Sequence, residues 1–196
     1  MKKDSKNITF LLLSIVYFLS GFATAEDNPK ALSFIFIDDQ KDRKIMESGQ
    51  AYDWEAIAYR DEEREKAVRE LIKKGKLQTG EDYYHAAMIL QHGTGPEDHL
   101  LAHDLCVIAI SKGEGKAKWL AAASLDRFLI GIGRSQRYGT QFRSDRSFNP
   151  PRLAPIDNEV PDSLRVEMDV QTLKEARKAE EQMIKSFNER RNSNKK

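Results

Sequence analysis

"TGEDYYHAAMILQHGTGPEDHLLAHDLCVIAISKGEGKAKWLAAASLDRFLIGI", residues 79–132, holds three apolar runs separated by two short, glycine-rich connections. The first run, near 80–92, opens on Thr79 with Asp82 three residues on. That is a short-acid version of the capping box, in which side chains and first-turn amides satisfy one another. The second starts at Pro96, whose fixed φ and missing N–H suit the first helical position, and stops at Gly113. The third covers roughly 115–132. Helices joined by so few residues pack as antiparallel neighbours. With no alternating strand pattern of any length, the predicted fold is all-α: antiparallel helical hairpins packed as a small array, with an extended Pro-rich segment and a C-terminal amphipathic helix.

Working upstream, "DWEAIAYRDEEREKAVRELIKK" (53–74) reads as a further helix, capped by Asp53 and stopped by Gly75. Its predicted buried stripe is Trp54, Ile57, Ala58, Val68, Leu71 and Ile72, with "RDEEREK" as a solvated face. "ALSFIFIDDQKDRKIME" (31–47) reads either as an extended apolar run or as a short helix. Downstream, four of the six prolines fall in "NPPRLAPIDNEVP" (149–161), which predicts an extended surface segment. "LRVEMDV" (164–170) reads as a short strand. Residues 169–189 place Leu173, Ala176, Glu180, Met183, Ile184 and Phe187 at helical spacing, before a fraying "ERRNSNKK". The predicted organisation is therefore 1–25 leader, 26–52 N-terminal segment, 53–142 helical core, 143–168 Pro-rich segment and 169–196 C-terminal helix and basic tail.

The leader follows from its chemistry. A basic "MKKDSK" precedes the uncharged "ITFLLLSIVYFLSGF", and "ATA" stands before Glu26. This is the pattern of a secretory signal peptide, the other reading being a retained anchor close to the shortest spanning length of about 17 residues. No Cys follows the run, so a lipoprotein anchor is excluded. The expected location is periplasmic or secreted, with no stable membrane span after cleavage. The formal charge is +1, and Lys2, Lys3, Lys6 and Asp4 carry +2 of it, leaving −1 beyond residue 25. Such a balance gives no electrostatic ground for nucleic acid. Cys106 is the only cysteine, so no intramolecular disulfide forms, and "DLCVIAI" predicts a buried thiol.

On a helical wheel Asp126 falls among Trp119, Ala122, Ala123, Leu129 and Ile130, while Arg127 points about 100° away. A carboxylate buried there needs partners. The candidates are Arg137, Tyr138 and the amides near Gly139, or His92, or Arg43. One reading is a lock tying the 133–142 turn to the helix. The other is a ligand pocket formed by His92, Asp126, Arg127, Gln136, Tyr138 and Gln141. Arg134, Arg137, Arg143 and Arg146, around Tyr138 and Phe142, read either as solvated or as contacts for an anionic ligand, a phosphate, a carboxylate or a glycan. All four histidines lie within 85–103, and His99, His103 and Cys106 share a helical stripe that could in principle meet one zinc, without the acid that makes such a motif specific. No Gly-x-Ser-x-Gly elbow or phosphate loop occurs, and no cofactor is implied.

Two resemblances add to this reading. Residues 86–123, with Gly93, Gly95, Asp98, Ala102, Ala109, Gly113 and Ala117, resemble a single Sel-one-like helical repeat. "DDQKDR" (38–43), "QHG" (91–93), "LDR" (125–127) and "GRSQRYGTQF" (133–142) together resemble an uncharacterised bacterial family, numbered six-six-two-four among domains of unknown function. That resemblance implies a helical fold and no assigned activity. The expected function is a binding or interaction module for an unknown protein or small-molecule ligand. The alternative is a hydrolase-type enzyme with its pocket around His92, Asp126, Gln136, Tyr138 and Gln141.

Overall fold

The computed structural model describes residues 30–144 and 150–193; the predicted leader and Arg146 lie outside them. Among the described residues there are seven helices and one two-stranded ribbon: α1 Lys30–Glu47, α2 Trp54–Lys73, α3 Gly80–Leu90, α4 Pro96–Ser111, α5 Ala117–Gly131, β1 Phe142–Arg143, β2 Arg152–Leu153, α6 Asp162–Glu167 and α7 Leu173–Ser193. The protein is all-α, and α4 packs between α3 and α5 while α1 and α2 lie against α3.

The helix starts are where local chemistry puts them. Thr79 Oγ1 accepts from the Asp82 amide at 3.1 Å, and the Asp82 carboxylate accepts from the Thr79 amide at 2.8 Å. At the α3–α4 turn, Asp98 returns to accept from the Gly95 amide at 2.9 Å. A Cβ on Gly93 would lie 2.4 Å from that of Asp98, so the tight turn needs glycine there. The core between these helices is rich in alanine: Ala86, Ala87, Ala102, Ala109, Ala117 and Ala121 are fully buried, with Ile89, Leu90, Leu105, Cys106 and Leu120 filling the space between them. Small side chains on both partners allow close approach of the backbones. Among the described residues, no helix is long and apolar enough to cross a membrane.

The 31–47 stretch is a helix. Its "FIFI" run divides around the axis: Ile35 and Phe36 pack on the core, while Phe34 and Ile37 remain exposed. Phe36 stacks on His85 with ring centroids 3.9 Å apart and planes 13° from parallel, which ties α1 to α3.

Three expectations change. Trp54 and Ala58 are exposed, and Arg64 takes a place in the buried stripe of α2 between Ile57 and Val68. The run "RDEEREK" is not simply a solvated face. Arg60 reaches Asp42 through two bonds of 2.8 and 2.9 Å, and Arg64 holds Asp38, Asp42 and Asp61 at 2.5–2.9 Å by its terminal nitrogens. Arg43 links Asp39 at 2.9 Å to Asp61 at 2.5 Å. The pattern that looks solvated from one sequence is a two-helix ion network, because the opposing acids lie 18–26 residues away. Finally, "LRVEMDV" supplies the end of α6 and the turn after it rather than a strand, since Asp162 and Pro161 open a short helix there.

Asp42 shows how much the network contributes. The Arg60 and Arg64 guanidiniums hold its carboxyl down at about 2, against the cost of burial. Its folded pKa lies below the unfolded one, so the stabilisation is present above about pH 4 and is lost as pH falls toward 2. Asp42→Asn should therefore lower unfolding free energy by about 1–2 kcal/mol near pH 7. In urea titrations at pH 7 and at pH 2, the difference from the native sequence should be present in the first and nearly absent in the second.

Candidate functional site

The six sequence candidates fall into two adjoining clusters. The first is a lock. Asp126 is fully buried, and its Oδ1 accepts from the amides of Arg137 at 2.7 Å and Tyr138 at 2.9 Å. Its Oδ2 accepts from the Thr140 amide at 3.0 Å and the Thr140 hydroxyl at 2.8 Å. Four donors saturate a carboxylate, so the charge is solvated by the turn itself. Neither His92 nor Arg43 is its partner. Gly139 sits inside this turn at φ +82°, and a Cβ there would meet the Ile156 side chain at 2.7 Å. Only glycine combines that backbone with that clearance.

Gln136, also fully buried, locks the turn from the other side. Its Nε2 donates to the carbonyls of Gln141 at 3.0 Å and Ala154 at 2.9 Å, and its Oε1 accepts from the Gln141 amide at 2.9 Å. Gln141 Nε2 donates to Thr140 Oγ1 at 2.9 Å. The Pro-rich segment is thereby fastened: the Gln136 amide donates to the Pro155 carbonyl, and the Asp157 amide to the Gln136 carbonyl. Tyr138 joins the lock through its backbone, with its side chain half-buried. Arg134, Arg137 and Arg143 are exposed.

The second cluster contains His92 and Arg127, at a junction of α1, α2, the α3–α4 turn and α5. Arg127 is half-buried and donates through Nη1 to Gln91 Oε1 at 2.6 Å. Among the described residues it makes no other hydrogen bond and has no carboxylate within 4 Å; burial pushes its pKa down. His92 Nε2 lies 3.7 Å from Asp39 Oδ1, too far for a hydrogen bond. Asp39 is itself fully buried and held by Arg43 and Gln40. Burial pushes His92 down to about 4, with Asp39 and Asp61 opposing and Arg43 and Arg127 adding to the shift. His99 is lowered by burial and by Arg127.

The described residues leave four buried side-chain nitrogen or oxygen atoms without a hydrogen-bond partner: His85 Nδ1, His92 Nε2, His99 Nδ1 and Ser124 Oγ. Two of the four belong to this junction, where a further arginine has most of its donors idle. Unpaired buried polar atoms are few in folded proteins, and their concentration marks the place.

The proposed zinc stripe does not assemble. His103 Nδ1 lies 2.9 Å from the Ala121 carbonyl, and burial pushes the Cys106 thiol up to about 12. Among the described residues no group of three or more His, Cys, Asp or Glu side chains could hold a metal ion. Sequence reasoning also missed Arg165, which is fully buried and donates to the carbonyls of Arg137 at 2.7 Å and Asp157 at 3.2 Å. A single Arg in "LRVEMDV" carried no signal of that role.

Comparison of the chain with protein-family models, with curated proteins and with solved structures found no match.

Replacing Asp126 by Asn puts an NH2 against donors and leaves at least one buried amide or hydroxyl unpaired. Asp126→Asn should cost about 2–3 kcal/mol, measured by urea unfolding. It should also open the 133–144 and 150–161 segments to limited proteolysis before the α3–α5 core unfolds. Equal protection in the variant would mean that other contacts hold the turn.

Proposed function

We propose that the protein is an exported helical binding module whose ligand site is the junction of Gln91, His92, His99 and Arg127. One observation carries this reading: Arg127 is a half-buried guanidinium with a single neutral partner, beside the buried and unpartnered Nε2 of His92; the His99 ring next to them lies against the Gly93 and Gln91 backbone. A fold gains nothing from desolvating a cation that it does not pair. The His92 side chain keeps 24% of its surface exposed, so the junction borders solvent, with Nε2 itself on the covered side of the ring.

The hydrolase-type reading has one observation in its favour. His92 is a neutral imidazole near pH 7, facing a buried carboxylate. That pairing suits a general base. The other residues of that pocket argue against it: Asp126 is saturated by donors and Gln136 by Gln141 and Ala154. Cys106 is held as a thiol, so it is not an available nucleophile.

A residue kept for ligand rather than for folding can be removed without loss of stability. Thermal unfolding of Arg127→Met, and of Arg127→Met combined with Gln91→Met to remove both partners of the bond, tests this. The double variant should match or exceed the native melting temperature, with the single variant slightly below it because Gln91 is left unpaired. A fall of more than about 5 °C in the double variant, roughly 2 kcal/mol for a chain of this size, would make the pair structural and end the reading.

A further inference from the structure

Resting on the binding reading, we propose that the junction takes a small oxyanion, a carboxylate or phosphoryl group, with Arg127 as the principal contact and His92 as the second. The guanidinium offers five N–H donors in a planar fork, and Gln91 occupies one nitrogen. A neutral ligand would leave the desolvated charge of Arg127 uncompensated. An oxyanion compensates it and can accept two parallel bonds from the fork, which are among the stronger hydrogen bonds available to proteins.

The other buried or half-buried arginines sharpen the contrast. Arg43 meets Asp39 and Asp61, Arg64 meets Asp38, Asp42 and Asp61, and Arg165 meets two carbonyls and Asp162. The acids nearest the junction are already engaged by other groups: Asp39 and Asp61 by Arg43, and Asp98 by Arg69 and the Gly95 amide. Glu65 of α2, half-buried near Asp61 and Asp98, is pushed up to about 7 by burial, so its charge is only partly present at neutral pH and compensates Arg127 poorly.

His92 makes the site sensitive to protons. The charged and titratable groups acting on it are Asp39 and Arg43 from α1, Asp61 from α2 and Arg127 from α5; His99 and Asp98 of α4 border the same arginine, and Glu65 of α2, raised to about 7, lies near Asp61 and Asp98. An oxyanion beside His92 favours the imidazolium and offsets Arg127. Binding then takes up a proton, and affinity rises as pH falls through the imidazole's pKa in the complex, levelling off near its free-state value of about 4. Linkage limits the gain to about tenfold per pH unit for one proton.

The test is isothermal titration calorimetry of the purified protein with sodium sulfate, inorganic phosphate and sodium succinate, at ionic strength held constant with sodium chloride. At least one oxyanion should bind saturably and displace no more readily with chloride than ionic strength predicts. Preference for sulfate and phosphate identifies a phosphoryl-type ligand, and preference for succinate a carboxylate. Arg127→Met should weaken binding at least about tenfold, the loss of one charge-assisted hydrogen bond. Sulfate keeps its charge across the pH range, so its affinity should rise on acidification in the native chain; in His92→Phe the rise below about pH 6 should be lost, leaving only the part near pH 7 that follows Glu65.

Binding that survives Arg127→Met, or no saturable binding by any of the three, overturns the assignment. If the doubly substituted chain is nonetheless as stable as the native one, only the oxyanion fails and the junction remains a site for an uncharged ligand. If that chain is destabilised, both readings fail together.

Discussion

Everything after α5 depends on the Asp126 carboxylate. It takes three amides and one hydroxyl from residues 137–140, and so converts a loop into a fixed surface. On that surface Gln136 holds Ala154 and Pro155, β1 pairs with β2 in the register Phe142 to Leu153, and Arg165 bonds the Arg137 carbonyl. α7 is attached through the bond from the Leu153 amide to Glu180. A buried charge is normally a liability, and here its desolvation is offset by donors that would otherwise be unpaired in a tight turn. One residue thus satisfies the turn, and the turn organises the Pro-rich segment and the last two helices.

The helices of the 79–132 region were legible because their signals are local. A capping box, a proline at the first turn and a glycine at the stop act within four residues, and the structure puts α3, α4 and α5 where those signals place them. Asp126 was legible for the same reason: an acid among apolar neighbours demands partners, and a turn dense in donors follows it. Most of the misreadings involve distant partners, the short helix opened by Pro161 and Asp162 being the local exception. Arg64 lies in the buried stripe only because Asp38 and Asp42 come from another helix, and Trp54 lies outside it because no element among the described residues covers that side of α2. Arg165 is invisible in a seven-residue window because the carbonyls it binds are 8 and 28 residues away.

The segments "DDQKDR", "QHG", "LDR" and "GRSQRYGTQF" are far apart in sequence, and the fold brings them to one side of the molecule. Asp39 and Arg43 face His92, Gln91 meets Arg127, and Asp126 carries the 137–140 turn. The division of labour between Asp126 and Arg127 follows from helix geometry. Neighbours on a helix diverge by about 100°, so one can point into the lock and the next into the junction. The adjacent acid and base are therefore not a pair. Each belongs to a different neighbourhood, and the two neighbourhoods share the rigid helix α5.

That arrangement suits the ligand site proposed at the junction. A ligand contact must be held in place by residues whose own positions are fixed, and it must itself remain unpaired until the ligand arrives. Arg43 and Arg64 cannot serve, since acids from the facing helix already bracket them. Arg127 differs in that its neighbour in sequence is immobilised by four hydrogen bonds, while its own head group is held at one nitrogen by a neutral amide. Gln91 orients the guanidinium without neutralising it. The strength of the lock and the incompleteness of the junction are then two parts of one design: stability is concentrated at Asp126, which leaves the fold able to carry an uncompensated charge one residue away.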